Sequence, residues 1–472
     1  MIKSLNPRRS WRILLADRLR NFVSSGTSSI KLAKIGFSRS SVALADQALI
    51  SGSNFLANIV LVRGLGLNGF GKYFLAYAVI LYANAVQMSF VTAPMLTIAP
   101  MLDGEEKRSF LKGMLAIQVL ASLLLLLLGV VAGVVIHHYT DYYSYQCILA
   151  VASAIGAFQA QDWIRRYYFL VNKKHLAVVS DCISYFAQLV ILALLWRLNM
   201  LTLSRTFWTM SLTSLAAFLM GPLTDRILPS FNHLESTWKE CRVLSRDLLV
   251  SNQVRWFGDQ GILMIATGIV GPSGIGGLRA TQSLAGPVSL VLTSLDNVLP
   301  LKIADILKAK GTPGAYRFTR SAMLFAAVGL GSLLVPVAVF GRPLLRLVYG
   351  PAVVAFYVPM LLQLVNIVVG IATRLWFYLY RGVRDTRAIL RANFLCAMTS
   401  VATVYILGHF WGASGIVLTS LLGQVAIVAY CTLHWRRYRQ ELMARYPEPS
   451  EAPYDVTQIV PKLRIHDAAE RS

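Results

Sequence analysis

Twelve apolar runs of roughly membrane-spanning length leave this chain little choice of fold. They centre on residues 42–62, 74–98, 114–136, 144–161, 176–196, 206–221, 248–270, 278–299, 321–340, 353–375, 388–408 and 412–433. Hydrocarbon offers the backbone no hydrogen-bond partner, so each run must satisfy its own N–H and C=O groups and is read as an α-helix. The expected fold is all-α and polytopic, with about twelve transmembrane helices. Composition agrees: 56% of the 472 residues are hydrophobic, 14% are charged and the mean hydropathy is +0.57. Soluble domains carry about 25% charge, so a soluble globular enzyme is excluded. The five cysteines (Cys147, Cys182, Cys241, Cys396, Cys431) form no CxxC pair. Neither a zinc site nor a disulfide framework is indicated, and they read as small core residues.

The net charge of +23 is distributed unevenly. With both termini cytoplasmic, 36 of the 45 Lys and Arg fall in inner segments, and only Arg63, Lys72, Arg197, Arg205, Arg342 and Arg346 fall outside. This is the positive-inside pattern, and it assigns the basic excess to topology rather than to nucleic acid. Aromatic residues mark the predicted helix ends: Tyr142, Tyr143, Trp196, Trp208 and Trp411 outside, Trp163, Trp376 and Trp435 inside. Residues 1–40 form a basic N-terminal segment in which Trp11, Leu14, Leu15, Leu19 and Phe22 recur at helical spacing among arginines. A helix lying on an anionic leaflet and a disordered basic tail both fit that pattern. Residues 436–472 read as a polar cytoplasmic tail.

The chain also repeats itself. Gly66, Gly69 and Gly71 after the first span match Gly271, Gly274 and Gly276 after the seventh at an offset of 205. Pro94 matches Pro300 at 206, and Arg108 with Met114-Leu115 matches Arg317 with Met323-Leu324 at 209. An even number of helices per copy predicts two six-helix bundles, residues 41–221 and 248–435, related by an axis along the membrane normal, with residues 222–247 as a cytoplasmic linker.

Polar residues inside spans are costly and mark cavities or protein contacts. Gln47, Ser51, Asn54 and Asn58 share one face of the first span, Asn252, Arg255 and Asp259 one face of the seventh. Arg279 and Gln282 lie on the eighth, and Gln363, Asn366 and Arg374 on the tenth. With Asn84 and Gln87 of the second, these faces are expected to line a central cleft. Arginine pairs bidentately with phosphate and stays charged when desolvated, so Arg255, Arg279 and Arg374 point to an anionic cargo. Snorkelling fits Arg279 and Arg374 equally well, and an intrahelical pair with Asp259 is a structural alternative for Arg255. Asp46, near an inner helix end, is expected to be solvated or to take part with Asp259 in ion coupling. His137 and His138 with Asp141 read as an exposed polar turn rather than a metal site. No GxxxxGK[ST] loop is present, and no cofactor is expected.

The stretch Ala45-Asp46-Gln47 through Ser51-Gly52-Ser53-Asn54-Phe55-Leu56, with Arg63-Gly64-Leu65-Gly66 and Gly69-Phe70-Gly71-Lys72-Tyr73, resembles the opening of polysaccharide transporters of the multidrug/oligosaccharidyl-lipid/polysaccharide flippase superfamily. The resemblance runs from residue 41 to about 435. It implies two lobes around a cleft, alternating access, and a polyprenyl-pyrophosphate-linked oligosaccharide (an O-antigen, exopolysaccharide or capsule repeat unit) moved between leaflets of the cytoplasmic membrane. It also implies dependence on an ion gradient, contact with membrane lipids, and polymerase and chain-length proteins as partners. Arg63 and Arg108 match the family's opening motif, where a topological role also fits. Two other readings stay open: a cation-coupled multidrug exporter relying on Asp259 and Asp46, and a non-transporting scaffold of an envelope-glycan assembly complex.

Overall fold

The structure is a computed structural model that describes residues 7–139, 143–256, 260–284, 286–445 and 447. Side chains are described from Asp46 onward, apart from scattered positions between 243 and 301 and at 333 and 445. The described residues contain helices and no strand. In order these are α1 (Pro7–Gln87), α2 (Ala93–Ile98), α3 (Gly104–Tyr139), α4 (Tyr145–Leu170), α5 (Lys174–Asp181), α6 (Ala187–Arg197), α7 (Leu203–Asp225), α8 (Leu234–Trp256), α9 (Ile262–Leu284), α10 (Gly286–Val339), α11 (Gly341–Tyr349), α12 (Tyr357–Gly382), α13 (Thr386–Arg437) and α14 (Arg439–Arg445). The side chains of the amphipathic N-terminal stretch, and most of the polar tail, lie outside the described residues.

Eight stretches among the described residues are long and apolar enough to cross a membrane. Two are too long for one crossing: Asp46–Met101 has 56 residues and Thr386–Arg437 has 52. At about 1.5 Å per residue each would reach roughly 80 Å, against about 30 Å of hydrocarbon. Both are divided by a left-handed glycine, Gly66 (φ 68, ψ 176) and Gly412 (φ 53, ψ −131). Each therefore supplies two spans, as their paired apolar runs require. On α3, with a mean hydropathy of 3.0, Leu123, Leu124, Leu127, Leu128, Val131 and Val135 are all exposed. An apolar ridge of this size marks a face that meets lipid or another protein.

The internal repeat is visible in the backbone. Gly271 adopts φ 69, ψ 175, within a degree of Gly66 at the equivalent position. A side chain on Gly71 would overlap the carbonyl of Pro272, and one on Gly276 would overlap the carbonyl of Leu67. Each residue in one contact lies 205 positions from its counterpart in the other, so the two contacts are images of each other, as in an isologous interface. Gly71→Ala and Gly276→Ala are each expected to destabilise the protein by about 3 kcal/mol, at the upper end for overpacking because backbone rather than side chain must move. Gly52 has nothing within 4 Å of its would-be Cβ, and Gly52→Ala should be neutral or stabilising. Thermal melts of the purified protein check this; melting of the Gly71 and Gly276 variants at the wild-type temperature would refute the close packing.

The helices form two compact units. One comprises Met1–Gly286, Phe340–Met360 and Val404–Ile416, and the other Pro287–Val339, Leu361–Thr403 and Val417–Ser472. The first has a core around Met95, Met114, Trp163, Ile164 and Tyr168, the second around Leu375, Leu379, Tyr380 and Trp435. Trp163, Trp376 and Trp435, expected at inner helix ends, are buried in the protein, with relative exposures of 0%, 5% and 1%. Trp163 stacks on Tyr167, and Trp435 stacks on Tyr316 at 4.7 Å and packs against Trp376. Each ring is thus held by aromatic packing inside its unit. Trp411 remains exposed, as a belt residue should. Cys147, Cys241 and Cys431 are buried thiols, as expected of small core residues.

Candidate functional site

Arg279 stands eight residues beyond the Gly271 break, about 12 Å along the helix. The intervening residues Gly274–Leu278 are all buried, so this turn of α9 is enclosed by protein on every side before Arg279. Its Nη1 donates to Gln282 Oε1 at 2.9 Å and its Nη2 to Gln260 Oε1 at 2.7 Å. Its Cζ lies 3.8 Å from the centre of the Phe74 ring. Two amide oxygens and one π face hold this cation; among the described residues no carboxylate pairs with it, and Nε has no hydrogen-bond partner. A guanidinium fixed by neutral groups keeps its full charge for an incoming anion.

A second charged cluster lies in the same unit. Arg165, from α4, donates through Nε to Asp181 Oδ2 at 2.6 Å and through Nη2 to Asp46 Oδ2 at 2.7 Å. Gln161, one turn earlier, donates to Asp181 Oδ1 at 3.0 Å. Asp46 is 1% exposed and so is not solvated; its Oδ1 has no partner among the described residues. Two ionised carboxylates around one guanidinium carry a net −1, which one proton would neutralise. No spacing pattern in the sequence distinguishes Arg165 from Arg166, whose Nε pairs with Asp162 at 2.8 Å.

The other predicted residues divide between packing and open faces. Gln47 and Asn54 are exposed and Asn58 is half-buried; Gln47 donates to Ser51 at 3.3 Å. Asn252 donates to Ser89 Oγ at 2.9 Å, within the π-helical turn Met88–Thr92. Gln87 and Asn84 turn into the unit rather than towards a cleft: Gln87 donates to Gln118 at 3.0 Å and Asn84 to Gln159 at 3.4 Å. In the second unit Gln363 and Asn366 are half-buried and Arg374 is exposed, while Thr373 donates to Gln424 at 2.7 Å. The Arg255 side chain and Asp259 lie outside the described residues. Arg63 donates through Nε to Val348 O at 2.8 Å and through Nη2 to Leu347 O, and so caps the carbonyl end of α11. His137 is held by its Nδ1 contact to the Tyr143 carbonyl at 2.7 Å. Gln260, the second amide on Arg279, was not anticipated, because nineteen residues and a chain break in helical phase separate the pair.

No protein-family model and no curated protein matches the chain. Solved structures do. The lipid II flippase MurJ in an inward closed conformation superposes with a TM-score of 0.59 at 16% identity, over 82% of this chain and 87% of that one. An inward-facing multidrug resistance MATE family transporter of the MOP superfamily gives 0.60 at 12%, over 84% and 95%. A MOP superfamily transporter from Pyrococcus furiosus Vc1, whose binding pocket of reverse polarity suggests a different function, gives 0.56 at 11%, over 86% and 96%. The chain has the fold of these transporters, an all-α polytopic membrane fold.

Proposed function

We propose that this protein is a flippase carrying a polyprenyl-pyrophosphate-linked oligosaccharide from the inner to the outer leaflet of the cytoplasmic membrane, with both termini inside. The fold supports a transporter, and its neighbours include both a lipid flippase and multidrug exporters. The observation that favours the flippase is Arg279: a membrane-embedded cation whose described partners are all neutral attracts a pyrophosphate and repels a cationic drug. A cation exporter would draw instead on Asp259 and Asp46; of these Asp46 is already paired with Arg165, and Asp259 lies outside the described residues. The exposed amides Gln47 and Asn54, with Asn58 and Gln282, would meet the sugar. On sequence grounds Arg255 and Asn252 are also proposed for substrate binding, as are Gln363, Asn366 and Arg374 of the second unit, and Asp259 is proposed for ion coupling. Deletion of the gene should leave lipid-linked oligosaccharide on the inner leaflet and the surface glycan absent; normal surface glycan in the deletion strain would contradict this reading.

Energy coupling is proposed for Asp46, one of the two carboxylates expected from the sequence, together with Asp181, which shares its Arg165 partner. A proton on one carboxyl cancels the net charge of the cluster, so protonation and transport can be linked through α1, α4 and α5. Asp181→Asn removes the charge and keeps the shape; its Oδ1 can still accept from Arg165, while Gln161 must turn its amide so that Oε1 accepts from the new Nδ2. It is expected to keep cargo binding while lowering gradient-driven transfer at least about tenfold. Transfer rates with and without an imposed pH gradient measure this; an undiminished response to the gradient would remove these residues from coupling.

A further inference from the structure

We infer a second anion site, separate from the transport residues, where the first unit binds the headgroup of an anionic phospholipid. Five basic residues converge on a cavity of about 320 Å³ formed by the start of α3, the end of α4 and the segment after α7: Lys107, Arg108, Lys112, Lys173 and Arg226. A single carboxylate, Asp225, shares the lining, and it is already engaged. Lys173 Nζ lies 2.6 Å from Asp225 Oδ1, and the Tyr167 hydroxyl donates to its Oδ2 at 3.2 Å. Arg108 has only a distant, exposed partner, Glu105 at 3.7 Å. Lys107, Lys112 and Arg226 form no ion pair among the described residues. Three unpaired cations in one concavity focus a positive field that a phosphate would neutralise.

The backbone holds this arrangement in place. Ser230 N donates to the Lys112 carbonyl at 3.2 Å, which pins the segment after α7 against α3. Arg226 terminates α7 at φ 48, a left-handed conformation that a non-glycine residue rarely adopts.

The surroundings favour a lipid over a soluble phosphate. Met101, Leu223 and Leu228, which flank the basic segments, are 80%, 79% and 61% exposed, while Leu111 and Ile227 form a buried apolar floor. Cations beside exposed aliphatic side chains match a molecule with a phosphate at one end and acyl chains at the other. With the basic ends of the helices inside, the cavity lies at inner-leaflet headgroup level, where such lipids are found. Three free cations suit a headgroup with two phosphates, as in cardiolipin.

Native mass spectrometry and thermal melting of the purified full-length protein, titrated with cardiolipin, phosphatidylcholine or inorganic pyrophosphate, test the assignment. Wild-type protein should bind cardiolipin at least tenfold more tightly than phosphatidylcholine and melt at a higher temperature with it. The triple variant Lys107→Gln/Lys112→Gln/Arg226→Gln should lose at least tenfold in cardiolipin affinity, while Arg436→Gln/Arg437→Gln, which removes two cations elsewhere, should not. Arg226→Gly provides a check independent of folding: glycine suits the left-handed backbone, so lipid-free stability should hold while cardiolipin affinity falls several-fold. Equal affinity for both lipids, unchanged binding by the triple variant, or protection by pyrophosphate without protection by cardiolipin would overturn the proposal.

Discussion

Arg279→Ala is expected to slow transfer of the lipid-linked oligosaccharide by about 10²–10³-fold while the folded protein persists. The magnitude is the lower part of the range set by two charge-assisted hydrogen bonds to a pyrophosphate, each contributing about 1.5–3 kcal/mol, or about 10²–10⁴-fold together. Arg279→Lys keeps the charge but not the planar fork, and should retain an intermediate rate, roughly tenfold below wild type. A purely structural Arg279 would show the opposite ranking of effects: Ala and Lys would both disturb Gln260, Gln282 and Phe74, and both would act mainly on stability. For a cation exporter, removal of the guanidinium would leave transport intact or improve it. Rates measured with matched amounts of folded protein separate the three.

The largest effect on stability is expected from Arg165→Ala. The substitution leaves Asp46 and Asp181 facing each other with no cation between them, in a site where Arg165 itself is only 20% exposed and the carboxylates 2% and 0%. Removing one partner of a buried ionic cluster costs about 3–5 kcal/mol, because the remaining charges stay desolvated. The double change Arg165→Ala/Asp181→Asn should recover part of that loss, since it removes one of the two stranded charges. Thermal melts in one detergent, at constant pH, give the comparison; additive effects of the two substitutions would show that the cluster is not a unit.

These two sites were not equally legible in the sequence. In the sequence Arg279 is visible as a cation at the edge of the run 278–299, where snorkelling fits as well as a cleft; its amide and ring partners have no sequence signature. Arg165 is not singled out at all, because it follows Trp163 near the end of a span, where basic residues usually serve topology. Only the approach of α5 and of Asp46 buries it, and neither contact has a sequence period. The same limit explains the tryptophans: an aromatic residue at a helix end looks alike whether it meets headgroups or, like Trp435, a neighbouring ring. Asn84 and Gln87 share a span's polar face with no sign that their partners, Gln159 and Gln118, come from α4 and α3. By contrast the spans and the repeat could be read directly. Apolar length is imposed by the bilayer, and Gly66 and Gly271 are required wherever a left-handed turn joins two helices. Their shared dihedrals, and the reciprocal contacts of Gly71 and Gly276, follow from the same three-glycine spacing.

The central claim is that the chain moves an anionic glycolipid, and leaflet transfer measured directly is its sharpest test. Purified protein is reconstituted into proteoliposomes with a polyprenyl-pyrophosphate oligosaccharide, and the exposed fraction is followed with and without a proton or sodium gradient, wild type beside Arg279→Ala. The account predicts gradient-stimulated transfer by wild type and transfer near the protein-free background by the variant. Absence of transfer by folded wild-type protein under every gradient, or equal transfer by Arg279→Ala, would contradict it.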